Sequence, residues 1–257
     1  MSSINQTTTW IKNPLSIFAE GSDGGVVIKG QKIIELVPLG GSPISNIDET
    51  YDASSSVILP GLINTHHHFY QTLTRAYPEA LNKELFPWLK SLYKVWAHIQ
   101  PEMLAVSTEL ALSELLLSGC TTASDHHYLF PSQLENAIDI QVEEAQKLGM
   151  RVVLTRGSMS LGEKDGGLPP QSVVQSKQDI LIDSERLIKT YHDSKEGAMT
   201  QIALAPCSPF SVTTDLMIET ANLAQQYDVR LHTHLAETID EENFCLEKFG
   251  LRTVDYL

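Results

Sequence analysis

Residues 57–71 read VILPGLINTHHHFYQ. The apolar run VILPGLIN has the length and composition of a short buried strand. Three of the chain's nine histidines follow it without a break. In an extended strand, residues i and i+2 point to the same side. His66 and His68 then share one face and His67 turns away. Two imidazoles on one face can serve one metal ion. A polar strand end would explain a single such pair equally well, but the pair recurs. Residues 231–237 read LHTHLAE, placing His232 and His234 on one face with Glu237 three residues further on. Neutral imidazole suits zinc or iron, and a nearby carboxylate that is not a ligand can carry protons.

Between these two clusters, strand and helix alternate. Helices are expected over roughly 84–98, 101–119, 132–149, 178–193 and 213–228. Pro101 sits where a first-turn proline is tolerated, and Gly119 and Gly149 are C-terminal stops. The strand candidates are VILPGLIN, CTTASDHH, MRVVLTRG, QIALAPCSPF and VRLHTHLAET. Alternation of this kind implies a parallel sheet covered by helices, either open or closed into a barrel. Chemically capable residues stand at the C-terminal end of all five strands. They are His66 to His68, then Asp125 to His127, Arg156, Cys207, and His232 to Glu237. A barrel builds its active site on that face. Residues 1–56 have a different rhythm: short apolar pieces cut by Gly, Pro and Ser, the pattern of a small β-rich segment. The expected division is therefore 1–56 and 57–257. Residues 157–171 form a Gly/Pro-rich stretch that reads as a lid or a long connection.

Composition narrows the function. The chain has 257 residues, 42% hydrophobic, enough for a sizeable core. No apolar run is long enough for a membrane span, and the polar N-terminus has no signal-peptide pattern, so the expected location is cytoplasmic. Three scattered cysteines argue against a disulfide framework or a thiolate zinc site. A net charge of −14 without basic runs disfavours nucleic acid or an anionic membrane as partner. No G-x-G-x-x-G or P-loop pattern follows any strand. Gln71 and Trp88 are candidates to line a pocket. His127 could touch substrate or support a ligand, with His126 as the other choice. Arg156 could fix a carbonyl or ring nitrogen, or pair with an acidic neighbour.

Together the motifs resemble the amidohydrolase superfamily. LPGLINTHHHFYQTLTRA (59–76) is similar to the family's first-strand HxH motif, and RLHTHLAET (230–238) to its fifth-strand motif. ELFPWL, LLLSGCTTASDHHYLFP, TRGSMSLGEKDGGLPPQSVVQ, ALAPCSPFSV and HLAETIDEENFCLEKFG resemble the cytosine/guanine-deaminase-like branch. Within it, the likeness is to the sequences acting on 8-oxopurines and hydroxytriazines. The resemblance implies a TIM-like (β/α) barrel with a small β-sandwich. It implies one divalent metal, zinc or else iron, held by His66, His68 and His234. Glu237 would be catalytic, shuttling a proton from the activated water to the ring nitrogen and leaving amine. Gln71, Arg156, Cys207 and His127 would bind substrate. The implied reaction is deamination of an N-heterocycle, 8-oxoguanine to urate and ammonia, with hydroxytriazine, isocytosine or guanine as alternatives. Relatives commonly self-associate, so a homo-oligomer is expected.

Two departures stand out. Many relatives carry histidine where Cys207 stands, which fits the triazine and 8-oxopurine subgroup. The family also has a metal-site histidine after the sixth strand and a catalytic aspartate after the eighth. This sequence ends at Leu257, before either. The expectation is an N-terminal part of a longer barrel, cut after about five strands, with an open edge and exposed apolar surface. Alone it should be inactive or very weak, or act only as a metal-binding fragment.

Overall fold

The computed structural model describes residues 7–257 and contains two compact units, Met1–Gly61 and Leu62–Leu257. The first is built from short strands: β1 (Thr8–Lys12), β2 (Ser16–Ile17), β3 (Gly25–Lys29), β4 (Lys32–Val37), β5 (Glu49–Asp52) and β6 (Val57–Ile58). Four of them form a sheet in the order β4-β3-β1-β5, and β2 pairs with β6. Val26, Val27 and Val37 bury their side chains within the unit. Gly25 is obligatory. Its φ is +113°, and a Cβ there would lie 1.9 Å from the Ile11 carbonyl oxygen.

The second unit carries the alternating pattern. Its strands are β7 (Leu62–His67), β8 (Cys120–His127), β9 (Arg151–Ser158) and β10 (Thr200–Pro206). They pair in parallel in the order of the chain. The connecting helices are α1 (Leu85–Trp96), α2 (Pro101–Leu117), α3 (Ala137–Leu148) and α4 (Lys177–Tyr191), followed by α5 (Thr214–Tyr227), α6 (Ile239–Phe249) and α7 (Thr253–Tyr256). Strands laid down in sequence order with helical crossovers form an arc of a (β/α) barrel. The core lies between sheet and helices. Leu104, Ala111 and Leu112 of α2, Ile138 and Val142 of α3, and Leu187 of α4 pack toward Val152, Leu154, Ile202 and Leu204. Ser176 caps α4, accepting the Asp179 N–H at 3.1 Å. Among the described residues no helix is long and apolar enough to cross a membrane.

The expected fifth strand is only partly regular. Residues 230–234 run beside β10, but the pairing is a single bridge, Leu204 with Leu231. Leu204 donates to the Arg230 carbonyl at 3.0 Å, and His232 donates to Leu204 at 2.9 Å. The next bond of a parallel ladder would come from the N–H of residue 206. That residue is proline and has none, so the ladder stops. Pairing resumes off register, with His234 donating to the Cys207 carbonyl at 3.0 Å. Leu62 and Ile63 on β7 and Leu231 beside β10 are exposed at the two ends of the arc, as expected for an open edge.

Candidate metal centre

Five imidazoles meet at the C-terminal end of this arc: His66, His68, His126, His232 and His234. Local chain geometry puts them there. Between Asn64 and His67, β7 advances three residues while β8 advances from Ala123 to Asp125. That is a bulge, and bulges redirect side chains at barrel rims. The Asn64 side chain accepts the His66 N–H freed by the bulge, at 3.1 Å. His68 is still extended, with φ −131° and ψ 90°, before Phe69–Thr74 turn as a 3-10 helix. His66 and His68 therefore remain neighbours, with ring centroids 4.8 Å apart and planes at 88°. His67 points elsewhere, toward Phe69.

The hydrogen bonds define the tautomers. The Nδ1 of His68 lies 2.6 Å from the His126 carbonyl oxygen, and the Nδ1 of His234 lies 2.8 Å from that of Cys207. A carbonyl only accepts, so both Nδ1 atoms carry the proton and both Nε2 lone pairs are free. The Nδ1 of His66 is 3.1 Å from His232 Nε2; a proton on that Nδ1 leaves its Nε2 free as well. The Nε2 atoms of His68 and His234 lie 3.2 Å apart. Centroid separations among His66, His68 and His234 are 4.8, 5.0 and 5.1 Å. Two imidazoles on one tetrahedral zinc, with Zn–N about 2.0–2.1 Å, have nitrogens about 3.3 Å and centroids about 5 Å apart. The His68–His234 nitrogen pair and all three centroid separations match those values.

By nitrogen distance the trio is instead His66, His126 and His234, whose ring nitrogens all lie within 4.8 Å of one another. Ring orientation argues against it. His126 is stacked on His234, with planes at 4° and centroids 4.1 Å apart. An ion midway between parallel rings would sit far out of both planes, away from the in-plane lone pairs. The His68 and His234 planes are inclined by 32° and their Nε2 atoms converge.

Burial keeps these rings neutral. It pushes His68 and His126 well below the ordinary histidine range and His234 down to about 4, and it lowers His66 and His232. Neutral imidazole is the form that binds a cation. Among the described residues neither ring nitrogen of buried His126 has a hydrogen-bond partner, an expensive arrangement in an apolar setting.

Beside the rings lies a cavity of about 500 Å³. His66, His68 and His234 form one wall; Trp88, Tyr93, Tyr128 and Phe210 form aromatic walls. Gln71, Cys207 and Glu237 also line it, as does Lys83. Burial and then Glu241 push the Glu237 carboxyl up from its ordinary value. Burial pushes the Cys207 thiol up to about 12, so it faces the cavity uncharged. The Ala236 and Glu237 N–H groups donate to the Glu241 carboxylate at 3.1 and 2.8 Å, fixing the turn after His234. Ala236 accepts a φ of +56° there.

Arg156 and His127 do not line this cavity. Arg156 is buried against the helix layer, donating to Asp183 at 2.8 Å and Gln175 at 2.9 Å, with its guanidinium 3.8 Å from the Phe130 ring centre. His127 is buried beside Tyr70 and Phe130, and its Nε2 meets the Leu129 carbonyl at 2.7 Å. Strand alternation explains the His127 correction, and helix packing that of Arg156. At the end of β8, His126 turns toward the His234 ring and Tyr128, just past the strand, lines the cavity, while Asp125 and His127 are buried away from it. The same period-2 rule that separates His66 from His67 could have selected His126 and Tyr128. Tyr93 and Lys83 lie on or before a helix whose placement no sequence pattern reveals. Arg156→Ala should strand Gln175, leave Asp183 with Arg186 alone, and cost about 2–4 kcal/mol in urea unfolding. Cobalt binding by the folded variant should stay as in the wild type; weaker binding without loss of stability would return Arg156 to the site.

Comparison with known proteins agrees with this architecture. The sequence model of the amidohydrolase family matches residues 57–257. The chain is 63% identical over 252 residues to 8-oxoguanine deaminase of Pseudomonas aeruginosa, covering 97% of this chain and 56% of that protein. It is 33% identical over 238 residues to hydroxydechloroatrazine ethylaminohydrolase of Pseudomonas sp. strain ADP, covering 91% and 49%. The chain thus spans about half the length of these relatives. Among solved structures, an Arthrobacter aurescens TC1 atrazine chlorohydrolase complexed with zinc superposes with a TM-score of 0.86 at 28% identity, covering 97% of this chain and 57% of that one. From the matched family model, the parallel strand arc and the histidines at its C-terminal end, the chain belongs to the amidohydrolase family.

Proposed function

We propose that the protein is a metal-dependent aminohydrolase that deaminates 8-oxoguanine to urate and ammonia. The observation that carries this reading is the convergence of the His68 and His234 Nε2 lone pairs, with the His66 ring against both, beside an aromatic-walled cavity. These three residues would hold one zinc ion. When bound, such an ion lowers the pKa of water toward neutrality and supplies a nucleophile. The chain's own groups do the rest. Trp88, Tyr93, Tyr128 and Phe210 offer flat apolar faces to a planar heterocycle. The Gln71 amide, on the cavity wall, can hydrogen-bond a ring edge. Glu237, three residues beyond His234, takes one proton from water and passes it to the ring nitrogen, then carries the second proton from the added hydroxyl to the departing amine. Its raised pKa suits a group that must both accept and donate near neutral pH. Water adds at the amino-bearing carbon, the C–N bond breaks, and ammonia leaves.

The likeness to 8-oxoguanine deaminase, at 63% identity, favours the 8-oxopurine over other ring amines. Zinc rather than iron is proposed because a solved relative is complexed with zinc. The substrate is a free small molecule rather than a nucleic acid or membrane component; the setting is the cytoplasm, and the whole protein is a homo-oligomer. The test is ammonia and urate release by the zinc-loaded full-length protein. Release from 8-oxoguanine well above that from a hydroxytriazine, isocytosine or guanine supports the proposal. Faster release from one of those would reassign the substrate, and no ammonia from any would reject the activity.

A further inference from the structure

Asp125 is fully buried at the bulge where β7 ends, and the metal reading above gives it no role. Its two carboxylate oxygens have separate partners. Oδ1 accepts the backbone N–H of Phe69 at 2.6 Å, and Oδ2 accepts the Gln141 side-chain amide at 2.6 Å. Gln141 is itself buried, on α3. The Phe69 N–H is the first donor after His68, where the chain leaves the strand for the 3-10 turn. The next residue of β8, His126, offers its carbonyl to the His68 Nδ1–H at 2.6 Å. Two consecutive residues of β8 thus grip His68, one by the backbone that follows it and one by its ring. With both in place, the His68 Nε2 has a single direction, toward His234 Nε2 at 3.2 Å.

We propose that Asp125, braced by Gln141, is the positioning residue of the histidine centre, clamping the Phe69 N–H so that His68 presents Nε2 to the metal. The proposal rests on the metal reading of the preceding subsection. Asp125 touches neither cavity nor reacting atoms; it acts through His68. The required element is an acceptor at Oδ1, not the negative charge. Asparagine can supply that acceptor. Its NH₂ can meet Gln141 once that amide flips, because the Gln141 Oε1 has no partner in the native arrangement. Alanine supplies neither group.

Cobalt titration of wild type, Asp125→Ala and Asp125→Asn tests this, with folding of each checked by circular dichroism. Loss of a group that orients a metal ligand weakens metal affinity about 10–100-fold. That loss is expected for Asp125→Ala, together with a changed cobalt visible spectrum. Asp125→Asn should stay within about threefold of wild type with the native spectrum. In metal-free protein, the Phe69 amide should be slow to exchange in wild type and Asp125→Asn, and fast in Asp125→Ala. Wild-type affinity and spectrum in Asp125→Ala would overturn the clamp, as would equal losses in both variants. Should Asp125→Ala not fold, the Asp125→Asn result decides alone. A wild type that binds no cobalt would instead overturn the metal reading, and the clamp with it.

Discussion

Replacing His234 with alanine is expected to weaken binding of a single zinc ion by roughly a hundredfold. The estimate comes from sharing the about 10–16 kcal/mol of a four-ligand structural zinc site evenly among its ligands, or about 3 kcal/mol each. His234 contributes more than a lone pair. Its N–H bond to the Cys207 carbonyl ties the irregular fifth segment to β10 just where Pro206 has broken the ladder. Its ring also carries the stacked His126. Equilibrium dialysis of folded variant and wild type reads the effect. The parallel change His127→Ala should leave zinc binding intact, since that ring lies on the helix side of β8. Equal zinc binding by wild type and His234→Ala would remove His234 from the ligand set.

Replacing Glu237 with glutamine should separate metal binding from chemistry. The amide keeps the size of the side chain and cannot shuttle a proton. Removing a positioned general acid–base costs about 10²–10⁴-fold in rate. In the full-length protein, kcat for 8-oxoguanine should fall within that range while zinc content stays at the wild-type value. A fall in zinc content would make Glu237 a ligand instead. An unchanged kcat would remove it from the mechanism.

Much of this organisation is legible in the residues themselves. Strand-helix alternation predicts the parallel arc, and the crowding of polar residues at strand ends predicts the end at which the imidazoles gather. His66, His68 and His234 follow from side-chain alternation joined to the family resemblance, and the structure brings their rings together. Alternation predicts a longer fifth strand than forms because it ignores donors: Pro206 cannot continue a ladder, and its place next to Cys207 is visible in ALAPCSPF. Parity along SDHHYLF sets His127 apart from Tyr128, which lines the cavity. The place of Arg156 is not legible locally. Its partners, Asp183 on α4 and Gln175 just before it, are 27 and 19 residues away, and their approach depends on how the helix packs. The Asp125 clamp is also tertiary, since it requires a bulge in β7 and a glutamine from α3 at the same point.

The central claim is that three imidazoles from two segments, far apart in sequence, hold one ion. X-ray absorption on the zinc-loaded protein tests it most directly. The expected spectrum has one zinc per chain with three imidazole nitrogens at about 2.0–2.1 Å and no sulfur. A sulfur shell at about 2.3 Å, which would bring in Cys207, or fewer than three imidazoles, would contradict it.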